Sequence, residues 1–392
     1  MHFHILHLHY TLNRELAELY ASIALRNFTV GLVGIFEPIY LFLFFSNDLV
    51  KTLLFFAAIN LLHSLLTPLS GKIIVKLGVK HAMLASVPFI FLYYLGLWQV
   101  ENLGNFFLVL IPLAVMYNLF YWTAFHIDFA RFSESKNRGS QLSYRHTIAA
   151  LSAAASPLAG GILIALFGYP ALFAIVLVLL FASAVPLFLS EEAHEVYTDS
   201  FQKAFQEVFL KKYRSKVVAF LAEGGESIGQ TILWPIFLFI LAISYSSIGA
   251  IFSVALLAGV IFALYMGRKI DKMGSARMLV LGSWLNAFTW PIKMFVSVPI
   301  DAFLINTLHH FTRLTSLLPF SALFYDWSAR EGINRDRFII LREMCVNCGK
   351  AVMLFVLAGF FLFTNDIAFV FPAFGLLSLF FIFFTRGQKN GA

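Results

Sequence analysis

Twelve stretches of about 20 mostly apolar residues, most of them separated by charged or Gly/Pro-containing breaks, leave this chain few ways to fold. They run approximately over 19–45, 50–70, 82–100, 104–126, 144–168, 170–189, 216–241, 245–266, 277–298, 301–325, 340–363 and 366–385. Each is long enough to cross the hydrocarbon layer of a bilayer as a helix, which satisfies its backbone hydrogen bonds internally. Composition demands such a solvent. Hydrophobic residues make up 60% of the chain and charged ones 12%, whereas a soluble domain carries about twice that charged fraction. Its 46 Phe would have no surface to occupy in water. The expected class is an all-α polytopic membrane protein with 12 transmembrane helices.

The net charge of +7 is then a topology signal rather than a sign of nucleic-acid binding. One alternate set of loops carries Lys72, Lys76 and Lys80; Arg131, Lys136 and Arg138; Lys203, Lys211, Lys212 and Arg214. It continues with Arg268, Lys269 and Lys272, then Arg330, Arg335 and Arg337. The other set, near 46–51, 101–104, 168–170, 244–247, 299–301 and 364–366, holds Lys51 alone. Of 28 Lys plus Arg, four lie deep inside spans (Arg26, Lys293, Arg313 and Lys350) and one is Lys51; with those at the first residues of a span counted with the adjoining basic loops, 23 fall on one side. Cytoplasmic loops collect Lys and Arg. Both termini are therefore expected in the cytoplasm of a multi-pass plasma-membrane protein, which requires an even number of spans.

The longest loop, 190–215, separates a first half, 1–189, from a second, 216–392. Within it Phe201, Ala204, Phe205, Val208 and Phe209 recur at helical spacing. The pattern predicts an amphipathic helix on the cytoplasmic membrane surface. His2, His4, His7 and His9 lack carboxylate or cysteine companions and read as a solvated tail rather than a metal site. Cys345 and Cys348 lie in an apolar stretch without a second pair and read as helix-face thiols. Arg14, Glu15 and Glu18 interrupt the first 18 residues, so a cleavable signal is not expected and span 1 is expected to be retained.

The chain also repeats itself. Glu37-Pro38-Ile39-Tyr40-Leu41-Phe42-Leu43 recurs 197 residues later as Trp234-Pro235-Ile236-Phe237-Leu238-Phe239-Ile240. The segment from Gly71 to Gly78 returns as Gly267 to Gly274, and Asp128 with Arg131, Arg138 and Arg145 returns as Asp326 with Arg330, Arg337 and Arg342. Offsets of 196–199, about half the chain length, imply two six-helix halves in parallel orientation.

With these residues the chain resembles the major facilitator superfamily, whose loop between spans 2 and 3 reads G-x-x-x-D-[RK]-x-G-x-[RK]. Gly267, Asp271, Lys272 and Gly274 match in register. Gly71, Lys76, Gly78 and Lys80 match in the first half, where Val75 replaces the aspartate. The run Ser152 to Gly161 is similar to the family's span-5 motif G-x-x-x-G-P-x-x-G-G, keeping Pro157, Gly160 and Gly161 and placing serine at the first two glycine positions. The resemblance implies two pseudo-symmetric six-helix halves, with spans 1, 4, 7 and 10 around a central cavity. It also implies that likeness to proton-coupled exporters favours efflux. A carboxylate at Asp271 can accept hydrogen bonds from helix-end N–H groups or pair with arginines of a neighbouring loop. Asp128, Arg131, Asp326 and Arg330 belong to the same set of gating loops, and Val75 is expected to weaken one of two latches.

Ionisable groups at membrane depth are costly, and each is a functional hypothesis. Span 1 carries Arg26 and Glu37, about three turns apart and nearly on one face. Span 7 carries Glu223, Glu226 and Gln230 in a narrow arc, and span 10 carries Asn306, His309, His310 and Arg313. Span 4 offers Tyr117, Asn118, Tyr121 and Trp122, an aromatic wall suited to an organic solute. Arg26 precedes Glu223 by 197 residues, so the two are expected to pair in one state and separate in another. Glu37, Glu223, Glu226, His309 and His310 are candidates to couple solute movement to protons. Lys293, near the outer end of span 9, is expected to snorkel.

No G-x-x-x-x-G-K-[ST] loop is present, so ATP drive is not expected. No H-E-x-x-H or G-x-S-x-G element sits where an enzyme would need one, and no cofactor or metal is expected. The leading expectation is a monomeric secondary transporter whose partners are a small organic solute, protons and the bilayer. The alternatives are a lipid or lysolipid translocator and a non-transporting scaffold or receptor.

Overall fold

Apolar runs broken by glycine, proline and charge fold here as helices throughout. The computed structural model describes residues 14–132, 151, 153–185, 201–331, 335–364 and 366–386, and no strand occurs among them. The helices of the first half are α1 (Arg14–Gly34), α2 (Glu37–Phe44), α3 (Leu49–Leu77), α4 (Val79–Trp98), α5 (Val100–Leu103), α6 (Leu110–Phe132) and α7 (Ser156–Ala184). A short helix, α8 (Phe201–Val208), follows. The second half holds α9 (Arg214–Ile228), α10 (Trp234–Ile240), α11 (Tyr245–Met273), α12 (Ser275–Ile292), α13 (Pro299–Arg330), α14 (Arg335–Phe360) and α15 (Phe371–Leu379).

Seven helical stretches among the described residues are long and apolar enough to cross a membrane: Ala24–Phe44, Leu49–Leu77, Val79–Trp98, Val100–Ile127, Ser156–Ala184, Tyr245–Met273 and Ile367–Thr385. Ser156–Ala184 bends at Gly168 (φ 76°), just before Pro170, and so serves two of the predicted segments. Predicted spans 7, 9, 10 and 11 fall outside the seven. These helices carry Glu223 and Glu226, Asn286, His309 and Arg313, and Lys350.

Packing repeats as the sequence does. In the first half α1 lies against α7, and α6 against α3 and α4. In the second, α9 lies against α14, and α13 against α11 and α12. Between these groups α3 runs along α14 and α7 along α11. The turns recur as well. Gly78 and Gly274, 196 residues apart, both have φ of 85°, where a Cβ would be strained. Ser46 and Ala242 share left-handed backbone at the same spacing. Asp48 and Ser244 follow as side-chain caps, accepting from the N–H groups of Lys51 and Ser247 at 2.9 and 3.2 Å. The Lys51 N–H holds the Asp48 carboxyl below the usual carboxylate range.

The helices carrying the Pro motif break in different ways. Span 1 divides at Ile35–Phe36, between α1 and α2. Span 7 stays continuous through a π-helical turn, Gly229–Leu233, that places Gln230 on the bulge.

Two apolar clusters occupy the two ends of the bundle. One includes Leu32, Leu97, Leu119, Ile228, Trp290 and Leu354; the other, toward the basic loops, includes Met83, Ala124, Phe220, Leu279, Leu314 and Phe338. Span by span, the gap between clusters is where polar side chains stand. Glu223 and Glu226 fill it on α9, Ser283, Asn286 and Thr289 on α12, Asn306, His309 and Thr312 on α13, and Asn347 on α14, all buried.

One expectation is corrected here. The amphipathic helix predicted for the membrane surface is α8, and it docks on protein. Ala204, Phe205 and Val208 pack with Ile340 and Met344 of α14, and Glu207 pairs with Arg337 at 3.2 Å. Apolar surface on a neighbouring helix competes with lipid for the same face. Residues 190–200 of that loop, the histidine tract, Lys136, Arg138, Arg145 and the first residues of span 5 lie outside the described residues.

Candidate functional site

Burying a carboxylate at mid-bundle is tolerable only if its partners are supplied by other helices. Glu226 of α9 meets that condition. One of its oxygens accepts hydrogen bonds from Asn286 Nδ2 and Trp290 Nε1, both at 3.1 Å from α12. The other pairs with Arg313 Nε of α13 at 3.3 Å. Asn286 also donates to Ser378 Oγ at 3.0 Å.

One turn on, Gln230 and Asn306 continue the network. Gln230 Nε2 donates to Asn306 Oδ1 at 3.2 Å, as does Trp234 Nε1 at 3.0 Å. Lys293 Nζ donates to Gln230 Oε1 at 2.6 Å and stands 4.3 Å from the ring centres of both Trp234 and Trp290. The expectation that Lys293 snorkels is therefore wrong. It is fully buried, and its ammonium turns inward because two indole faces and an amide oxygen offer it a substitute for water. His309 lies edge-on to Trp290, ring centres 4.4 Å apart, with neither ring nitrogen hydrogen-bonded.

A second cluster lies nearer the basic loops. Arg342 of α14 donates to Glu223 at 2.6 Å and to Glu343 at 2.7 Å. The same guanidinium reaches His126 Nε2 of α6 at 3.2 Å, and His126 Nδ1 lies 2.9 Å from the Tyr325 hydroxyl of α13. A guanidinium only donates, so Nε2 accepts and Nδ1–H donates to Tyr325. Protonation of His126 would set Nε2 against Arg342 and toward Glu343, 3.4 Å away. Lys350 lies within electrostatic reach of Glu343 and Glu223. This cluster joins α6 to α9, α13 and α14.

Arg26 and Glu223, expected to pair in one state and separate in another, stand apart here. Glu223 has taken Arg342, a nearer cation on an adjoining helix. Arg26 instead lies over aromatic rings of α6, 3.3 Å from the Tyr121 ring centre and 5.1 Å from that of Tyr117. Tyr117, Tyr121 and Phe125 stack in sequence along α6, at 6.0 and 5.6 Å. Glu37, beyond the break in span 1, accepts from the Tyr93 hydroxyl at 2.6 Å.

Other predicted residues scatter. Asn118 spends its amide on Ala114 O of its own helix, while Trp122 is exposed and stacks with His126. His310 packs on Gly259 of α11 and so points away from its neighbour His309. Gly160 and Gly161 face different helices: a Cβ on Gly160 would meet Leu32 O at 2.1 Å, and one on Gly161 would meet Tyr245 O at 2.3 Å. Pro157 lies across from Gly249 of α11. Span 5 thus seats on span 1 with one glycine and on span 8 with the next. Gly71 and Gly267 are buried; Lys76, Asp271, Lys272 and Arg330 are exposed. Asp326 stands on the last turns of α13, whereas the side chains of Asp128 and Arg131 lie outside the described residues.

Arg342, Glu343, His126 and Asn286 were missed as site residues in the sequence. Arg342 repeats Arg145 and, two residues inside the start of span 11 at 340, reads as one of the loop cations. The adjacent Arg-Glu just inside an apolar stretch was the usable signal.

A family model for the Major Facilitator Superfamily matches residues 19–225. No curated protein matches by sequence. Solved structures do match in shape. The E. coli fucose:proton symporter FucP aligns with a TM-score of 0.66 at 14% identity, covering 95% of this chain and 98% of that one. FucP in the outward conformation gives 0.64 at 14% identity, with 95% and 98% covered. The human organic anion transporter MFSD10 gives 0.67 at 13% identity, with 94% and 99% covered. At such identity these likenesses establish the fold.

Proposed function

The chain belongs to the Major Facilitator Superfamily, a family of transporters rather than enzymes, and on that premise we propose that it is a proton-coupled secondary transporter of a small organic solute. In this reading twelve spans form two six-helix halves, 1–189 and 216–392, joined by the 190–215 linker. The basic loops and both termini face the cytoplasm, and the halves rock about a midplane site by alternating access. The protein acts as a monomer in the plasma membrane.

One observation carries the reading: Glu226 is buried at mid-helix and ion-paired to Arg313. A carboxylate so placed has two exchangeable partners, a proton and a cation. Protonation would release Arg313 and change the charge exposed to a solute, so proton binding and helix contacts are linked. The test is flux in proteoliposomes under an imposed proton gradient, with a broad panel of labelled solutes. Wild type is expected to accumulate or expel one of them against its gradient. Glu226→Gln is expected to lose gradient-driven movement by 100-fold or more while keeping exchange of solute for solute. Equal gradient-driven rates in both proteins would remove the coupling role. Absence of flux for every solute would select the rival reading, a scaffold that kept the fold.

A further inference from the structure

Charge within the bundle is unevenly matched. Glu223 and Glu343 share Arg342, with Lys350 close by. Glu226 has Arg313 and stands within electrostatic reach of Lys293. Among the described residues Arg26 has no carboxylate partner. It is 7% exposed, and its Nη2 finds no hydrogen-bond acceptor. The acid on its own span, Glu37, lies eleven residues away, about 16 Å along a helix, and is engaged by Tyr93.

The way Arg26 is held says what it lacks. With Cζ 3.3 Å from the Tyr121 ring centre, an edge-on guanidinium would drive a nitrogen into the ring, so the two planes lie nearly parallel. Stacking uses the face of the guanidinium, and although Tyr117 takes one hydrogen bond from it, Nη2 is left without an acceptor. The in-plane N–H bonds form the fork that matches a carboxylate. Ring faces cannot replace the hydration of a buried cation, and a site built this way stays costly until an oxyanion arrives.

We propose that Arg26 is the anchor for the carboxylate of an organic anion, whose apolar remainder lies along the Tyr117–Tyr121–Phe125 stack. This deepens the transporter reading and rests on it for physiological meaning, since it names the class of solute. The binding claim itself requires no flux.

The experiment is thermal unfolding of the purified full chain in detergent with benzoate, hexanoate and inorganic phosphate, each carboxylate paired with its neutral amide. At least one carboxylate is expected to raise the midpoint, its amide to do so at least 10-fold less effectively by concentration. Arg26→Gln is expected to abolish that shift, and Arg26→Lys, which keeps the charge but loses the fork, to weaken it about 10-fold. Without ligand, Arg26→Gln is expected to unfold at or above the wild-type temperature, because an unmatched buried charge has been removed. Phosphate acting as well as the carboxylates would overturn the organic part of the proposal. Carboxylates with no effect on wild type, or equal to their amides, would overturn the anion site. A ligand-free Arg26→Gln protein that unfolds well below wild type would overturn it also, by showing that internal contacts already satisfy the arginine. Binding in detergent without flux in proteoliposomes would remove the transporter reading and leave this site standing. Flux of a cation or neutral solute that Arg26→Gln leaves unchanged would do the reverse.

Discussion

The interiors of the two halves are built from the same helix plan and use it differently. In the second half, Glu226, Asn286, Trp290, Arg313, Gln230, Lys293, Asn306 and Trp234 form one connected network in which each charge has a partner or a ring face. In the first half, Glu37 meets Tyr93, and Arg26 meets the faces of Tyr117 and Tyr121. The Pro motif shows the same division: Trp234 donates into the network, whereas Glu37 stands at its repeat position. Duplication supplied turns and packing twice, and the polar interior then diverged. A buried charge set against an opposite charge is already compensated; Arg26, a buried cation with no carboxylate beside it among the described residues, has something left to bind.

The sharpest way to break this contrast is to remove one charge from each side. Glu226→Ala leaves Arg313, Asn286 and Trp290 without their acceptor, and loss of one partner from a buried pair costs about 3–5 kcal/mol. Thermal unfolding in detergent should show that loss clearly, while Arg26→Gln shows none. Similar losses in the two would mean that the first half is as internally satisfied as the second. Next in size is the seam where span 5 meets both halves. Gly161→Leu must push against Tyr245 O, and overpacking of this kind costs about 1–3 kcal/mol. Gly359→Ala, with nothing within 4 Å of its added Cβ, should instead gain about 0.5–1 kcal/mol. If both were neutral, the span 5–span 8 contact would be looser than the distances state. The smallest effect concerns the unequal loops. Val75 is exposed at the position matching Asp271, so Val75→Asp should alter stability by no more than about 0.5 kcal/mol. Its effect should appear in flux, as a changed turnover from a strengthened latch, and an unchanged turnover would make the missing aspartate immaterial.

Much of the helical plan was readable in advance. Apolar runs, the glycine turns at 78 and 274 and the 196-residue spacing are local or periodic signals, and each predicted span that the structure describes is found as helix. Lys293 shows where such reading fails. Depth along a span can be counted from sequence, but the side of the helix that meets protein cannot, and Lys293 turned to the indoles instead of the surface. Arg26 and Glu223, expected to pair in one state and separate in another, are apart in this one for a related reason. Symmetry placed them opposite one another, yet Arg342 on an adjoining helix lies closer to Glu223, and distance decides an ion pair.

Order of residues along the chain was enough to establish the solvent, the helices, the repeat and the set of charges that must be accommodated, because each depends on composition or on neighbours within a few turns. Which charge meets which was decided by tertiary packing. Lateral contacts between helices arise from small residues that let backbones approach, such as Gly160 and Gly161, and from a break or bulge that rotates the remainder of the helix. Those operations move a side chain from one partner to another without changing its place in the sequence, and they set Glu226 against Arg313 and Arg26 against aromatic rings.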